Sequence, residues 1–221
     1  MTWYRTGSGL AVPAPLAETG RRPSGIPERE WATLSPRHAR NLRYGVSGGA
    51  IPQTFMVVNS AMVTTAAPVK VATGTAIKTM LQLKPAVRLV VIEWGASFDG
   101  AAAATPGEVE LIETDVAATV TASAVADIMP HGDLNAIANT AGTSGTPLNL
   151  GTSATGYTAS AEGTITTTRL FDPQQVAPTN QYVKQWPLDR EPHMAVGKFT
   201  RVRCTFPATV NAYTYAIVGL A

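Results

Sequence analysis

The groups through which this chain could do chemistry are three histidines (His38, His131 and His193), one cysteine and a short series of acids. Nucleophilic catalysis needs a Ser or Cys beside a base that a third group orients. No Gly-x-Ser-x-Gly elbow occurs, and the serines fall in loop-like stretches without a signature. Cys204 lies in the run Arg201-Val202-Arg203-Cys204-Thr205-Phe206. Alternation there puts the flanking arginines on the opposite face of a strand, so the thiol reads as a small buried hydrophobe. His131-Gly132-Asp133 is the close His/Asp pair, and a turn explains it better than a metal centre, which needs more ligands. Glu108 and Glu110, with Glu113 nearby, share the polar face of a strand and read as a solvated face or edge. Gly7-Ser8-Gly9-Leu10 lacks the preceding strand and the Lys-Ser/Thr ending of a phosphate loop. Gly142-Thr143-Ser144-Gly145 has no helix after it. The expectation is a chain with no catalytic residue, no metal and no cofactor.

Two tryptophans, Trp94 and Trp186, sit at the ends of strong apolar runs. Packing at the core rim is the expected role, with a carbohydrate platform as the competing one.

Charge is unevenly spread. Residues 1–45 hold seven arginines and three glutamates, a net +4, whereas the remainder holds ten basic and twelve acidic groups, a net −2. Pro13, Pro15, Pro23, Pro27 and Pro36 break any long helix or central strand in this region. Short helices fit residues 27–34 and 35–42, the second with Ser35 as N-cap and Pro36 at the first helical position. Residues 1–50 thus read as an extended, partly helical basic arm, and residues 51–221 as the body. Arg21, Arg22, Trp31, Arg37, Arg40 and Arg43 are the candidate partner contacts of the arm. Its arginines are sparse and interrupted by Pro and Glu, so a protein surface is expected and direct nucleic acid binding is not.

The body must position whatever the chain uses, and its pattern is β. Of 221 residues only 14% are charged and 45% are hydrophobic, while Ala (34) and Thr (29) together exceed a quarter. Disorder throughout is excluded by that apolar content. No apolar run approaches the roughly 20 residues of a membrane-spanning helix, so no membrane partner is expected. No apolar h-region follows Met1, so no secretory signal is expected. Strands are expected at 55–58, at 75–83 with Ile77, Thr79, Leu81 and Leu83 on one face, and at 86–94, buried on both faces. Others are expected at 108–113 with Val109 and Leu111 inward, at 163–171, 181–186 and 197–206, and at 210–218. Residues 95–107 read as a connection between antiparallel strands, 116–126 as a short helix or a Thr-rich strand, and 131–160 as a long irregular segment. About eight strands with little helix predict an all-β fold, an antiparallel β-sandwich or jelly-roll-like barrel.

The runs Ala72-Thr73-Gly74-Thr75-Ala76-Ile77-Lys78-Thr79-Met80-Leu81-Gln82-Leu83, Val91-Ile92-Glu93-Trp94-Gly95-Ala96-Ser97-Phe98-Asp99-Gly100 and Val109-Glu110-Leu111-Ile112-Glu113-Thr114 carry a resemblance. With Gln181-Tyr182-Val183-Lys184-Gln185-Trp186-Pro187-Leu188 and Arg190-Glu191-Pro192, the body resembles small virion-associated proteins of actinobacterial tailed phages and prophages. The resemblance covers residues 70–220 and not the arm. It implies a capsid decoration or minor capsid protein that binds the major capsid protein or another virion protein, located on the capsid surface. It supplies no active-site residue. Assembly as a homo-oligomer, with a trimer favoured, is the expectation for a protein that decorates a repetitive lattice. The alternatives are a tail or fibre subunit and a carbohydrate-binding adhesin module.

Overall fold

The computed structural model describes residues 3–5, 11–13, 54–61, 70–101, 105–130, 147–187 and 190–220. The chain divides into two units, Met1–Gln53 and Thr54–Ala221. In the first, strands β1 (Trp3–Arg5) and β2 (Ala11–Pro13) pair antiparallel. A strand therefore does precede Gly7-Ser8-Gly9-Leu10, contrary to expectation. It leads to a second strand and not to the helix that a phosphate loop requires. The helices expected at 27–34 and 35–42 lie outside the described residues.

The second unit is a sandwich of two antiparallel sheets. The first sheet is built from β5 (Lys78–Leu83), β7 (Gly107–Thr114), β8 (Thr119–Ala122), β10 (Gly156–Ala161), β11 (Thr168–Val176) and β14 (Phe199–Thr205). Their order is β11-β7-β14-β5-β10-β8. The second sheet runs β12-β6-β15-β3-β9, from β3 (Thr54–Val58), β6 (Leu89–Phe98), β9 (Ile128–Pro130), β12 (Gln181–Gln185) and β15 (Asn211–Leu220). Two short strands, β4 (Val71–Ala72) and β13 (His193–Met194), pair with β15 and β6. Among the described strands of the sandwich, no two sheet neighbours are consecutive in the chain. Every pairing is non-local, which makes folding slow relative to a hairpin-built sheet.

The inner faces meet in one apolar core. Val109 and Leu111 point into it as the alternation of β7 predicts, and Cys204 is buried there beside Val202. Burial raises the Cys204 thiol pKa far above its ordinary value. On β15 the inward residues Ala212, Thr214 and Ala216 are small, and Val218 joins the core beyond a bulge. Across the ladder Ala212 faces Phe98 and Ala216 faces Trp94, so small side chains leave room for large neighbours. Phe98 packs on Phe206 with ring centroids 4.6 Å apart.

Several sequence expectations are corrected. A bulge opposite Val202 and Arg203 turns Met80 inward with Leu81, while Thr79 and Gln82 face outward and are still buried. Ile77 lies before the strand and is exposed. The strand expected at 86–94 begins at Leu89 and runs on through Gly95 to Phe98, so the connection is shorter than 95–107 and crosses between sheets. Residues 116–126 resolve into strand β8 and a single 3-10 turn, Val125–Asp127. Within the segment expected to be irregular, Gly156–Ala161 forms β10, while residues 131–146 lie outside the described residues. The strand expected at 163–171 is Thr168–Val176, passing through Pro173. Proline is tolerated because β11 is an edge strand and lacks a ladder partner on one side.

Two connections cover part of the outer face of the first sheet. Gln82 reaches out from β5 to donate to the Ala154 carbonyl (2.6 Å) and accept from the Ala118 N–H (2.7 Å). Arg201, from β14, has a fully buried side chain and donates to the Glu162 carbonyl (3.0 Å), the Glu162 carboxylate (3.2 Å) and the Val116 carbonyl. Burial lowers its pKa, partly offset by Glu162. The Glu162 carboxylate also accepts from the Thr79 N–H (2.5 Å) and hydroxyl (2.6 Å). Gly163 follows at φ +71°, a left-handed turn that glycine takes without a Cβ penalty and that a Cβ would drive onto the Ala117 carbonyl.

Asp115 ties these connections together. Its carboxylate accepts from the Thr166 hydroxyl and from the N–H groups of Thr167 (3.1 Å) and Thr166 (3.3 Å), and these bonds hold its pKa well below the usual carboxylate range. A depressed folded-state pKa contributes stability that is present above the unfolded value of about 4 and lost as pH falls through the folded value. Asp115→Asn is therefore expected to flatten the acid limb of the stability curve below about pH 4. Urea unfolding at a series of pH values checks this; equal acid slopes for both proteins contradict it.

Candidate functional site

The half of the first sheet's outer face that the other described residues leave uncovered forms an open groove of about 350 Å³. Strand alternation builds it. Outward residues of β7 (Glu108, Glu110), β11 (Pro173, Gln175) and β14 (Arg203, Thr205) stand in two rows across the strands. The ladders place Pro173, Glu110 and Arg203 in one row and Gln175, Glu108 and Thr205 in the other. Ile77 closes one side. Arg203 donates through Nε to Oε1 of Glu110 (2.7 Å), and its Nη2 lies 2.5 Å from the same oxygen in an ion pair. Glu108 is exposed, and its carboxylate makes no hydrogen bond or ion pair among the described residues. The groove thus combines apolar walls with two carboxylates, of which one is partnered. The sequence reading of Glu108 and Glu110 as one polar strand face holds, but Glu113 points the other way. It is buried, ion-paired to Arg169 (3.0 Å), and accepts from the Ala195 N–H (2.7 Å).

Behind the groove a buried carboxylate ties the two sheets. Asp172 of β11 accepts from Trp94 Nε1 (3.1 Å), from the Tyr182 hydroxyl (2.7 Å) and from Gln174 Nε2 (3.1 Å). Trp94 and Tyr182 belong to β6 and β12 of the other sheet, and their rings meet edge-on at 5.3 Å. Desolvation, then the bond to Asp172, raises the Tyr182 pKa far above its ordinary value.

The outer face of the second sheet is different in kind. Register puts Val183, Gly95, Tyr215 and Val58 in one row, and Gln185, Glu93, Ile217, Met56 and Met129 in the next. The Tyr215 ring lies over Gly95, where a Cβ would stand 2.6 Å from it, and its hydroxyl donates to Glu93 (2.6 Å). Val183 is 49% exposed. This face is apolar and aromatic, with Glu93 its charged group within these rows.

Arg21, Arg22, Trp31, Arg37, Arg40 and Arg43 lie outside the described residues, as do His38, His131, Asp133 and the 142–145 loop. His193 is exposed on β13, where its carbonyl accepts from Arg169. Trp94 is wholly buried, in the core and not at its rim, and offers no face to a sugar, which removes the competing carbohydrate-platform role for it. Trp186 packs half-buried against the core. Sequence reasoning missed Arg201 with Glu162 and Asp172 with Trp94, partners 39 and 78 positions apart. The available signal was a carboxylate at Asp172, in a strand position where an inward apolar residue is the rule.

The fold and these surfaces define an all-β sandwich protein that carries, among the described residues, an apolar sheet face and a groove lined by acids. No protein-family model, curated protein or solved structure matches the chain.

Proposed function

We propose that this protein is a structural component of a tailed-phage particle, a capsid decoration or minor capsid protein that binds the major capsid lattice and stabilises it as a homo-oligomer, with a trimer favoured. The observation that carries the reading is the outer face of β12, β6, β15 and β3. A sheet surface bearing Val183, Tyr215, Ile217 and Met56, with little charge, is suited to packing on another protein. Apolar faces of this kind gain from repetition, because many copies on a symmetric lattice multiply a weak contact. The charge division between the N-terminal region and the body, and the resemblance of residues 70–220 to virion-associated proteins, support the same reading.

Quantitative mass spectrometry and cryo-electron microscopy of purified particles test it. The expected result is a stoichiometric copy number with density on the head. Density on the tail instead transfers the protein to the tail or fibre class. Absence from intact particles refutes the proposal.

A further inference from the structure

We infer that the groove on the first sheet receives an arginine side chain from residues 21–43 of a second copy of the chain. This rests on the reading of the protein as a self-assembling subunit. The Glu108 carboxylate stands in the groove without a partner among the described residues, although Arg203 is two rungs away and engages Glu110 alone. Both Arg203 nitrogens converge on Oε1 of Glu110, so Oε2 also takes no hydrogen bond among the described residues. Two acceptor positions thus face a groove whose sides are Ile77, 45% exposed, and Pro173. A guanidinium matches both features: its planar donors suit carboxylate oxygens, and its three-carbon stem lies well on apolar side chains. The groove borders edge strand β11, which leaves it open from the side of the sheet.

Charge selects the occupant. Residues 46–221 carry a net −2, while residues 1–45 carry a net +4 through seven arginines, six of them between Arg21 and Arg43. The chain therefore supplies a cation for the groove in equal number with the groove itself. Insertion of each copy's arginine into the next copy's groove closes a head-to-tail ring, the arrangement that cyclic assemblies such as trimers use.

Analytical ultracentrifugation of the full chain tests the inference. Glu108→Arg converts attraction into repulsion at an exposed position and is expected to weaken self-association roughly tenfold at low salt. Glu substituted at Arg37, Arg40 and Arg43 together is expected to do the same. Combining the two sets restores opposite charge and is expected to recover most of the affinity. Circular dichroism should be unchanged by Glu108→Arg, since the side chain is exposed. The inference is overturned if the wild-type chain does not self-associate, if Glu108→Arg leaves association unchanged, or if the combined variant recovers nothing. Particle composition is read separately, so a chain found on the head whose association ignores Glu108 loses this inference and keeps the proposed function.

Discussion

Trp94→Ala is expected to destabilise the sandwich by about 3–5 kcal/mol, lowering its melting temperature by roughly 10–15 °C. The indole is fully buried between the sheets. Its ladder neighbour on β15 is Ala216, too small to fill the space, and Gly95 follows it on the same strand, so the cavity cannot collapse cheaply. The loss has a second part. Asp172 is buried and would keep only the Tyr182 and Gln174 donors. A buried carboxylate short of a donor is costly, because little water reaches it in compensation. Trp94→Phe separates the two parts by keeping most of the ring volume while removing the N–H. It is expected to fall between wild type and Trp94→Ala in urea or thermal unfolding. A cost below about 1 kcal/mol for Trp94→Ala contradicts the assignment of Trp94 to the inter-sheet core. The same substitution cannot serve as a test of glycan binding, since loss of fold and loss of a sugar platform would look alike.

Arg201→Ala is expected to cost a similar amount, about 3–5 kcal/mol, for a different reason. Arg201 holds the Glu162 and Val116 segments against the first sheet through a buried guanidinium. Its removal leaves the Glu162 carboxylate facing a hole without its counter-charge, takes the donor from the Glu162 carbonyl and leaves the Val116 carbonyl with the Thr114 hydroxyl. The pair itself need not be strongly stabilising, since burying both charges offsets much of their attraction. Adding Glu162→Gln to Arg201→Met is therefore expected to regain part of the loss. The amide oxygen still accepts from Thr79, and no unpaired charge remains. Chemical denaturation of the single and double variants checks this. A double variant no more stable than Arg201→Met would falsify the charge argument and leave packing as the cause.

The fold class was legible because β alternation is written locally. Val109 and Leu111 on β7 could be sorted to the inner face by position alone, and that orientation holds in the structure. What failed locally failed for tertiary reasons. Met80 turns inward because a bulge shifts the phase of β5, and a bulge is decided by the partner strand. The edge position that admits Pro173 into β11 is likewise a property of sheet order and not of the residues around it.

The candidate surfaces divide along the same line. Sharing of one strand face by Glu108 and Glu110 follows from their spacing of two, and the basic excess of residues 1–45 from counting. That Arg203 neutralises Glu110 and not Glu108 depends on which strand lies beside β7, and the chain reaches that strand only some 90 residues later. Asp172 beneath Trp94 and Arg201 beneath Glu162 arise in the same way. Sequence alone determined what each short segment could become: a strand with two unlike faces, a proline-broken basic stretch, a cysteine destined for an interior. Only the tertiary structure decided which faces are covered and which polar groups are paired, because those outcomes belong to neighbours brought together across the chain.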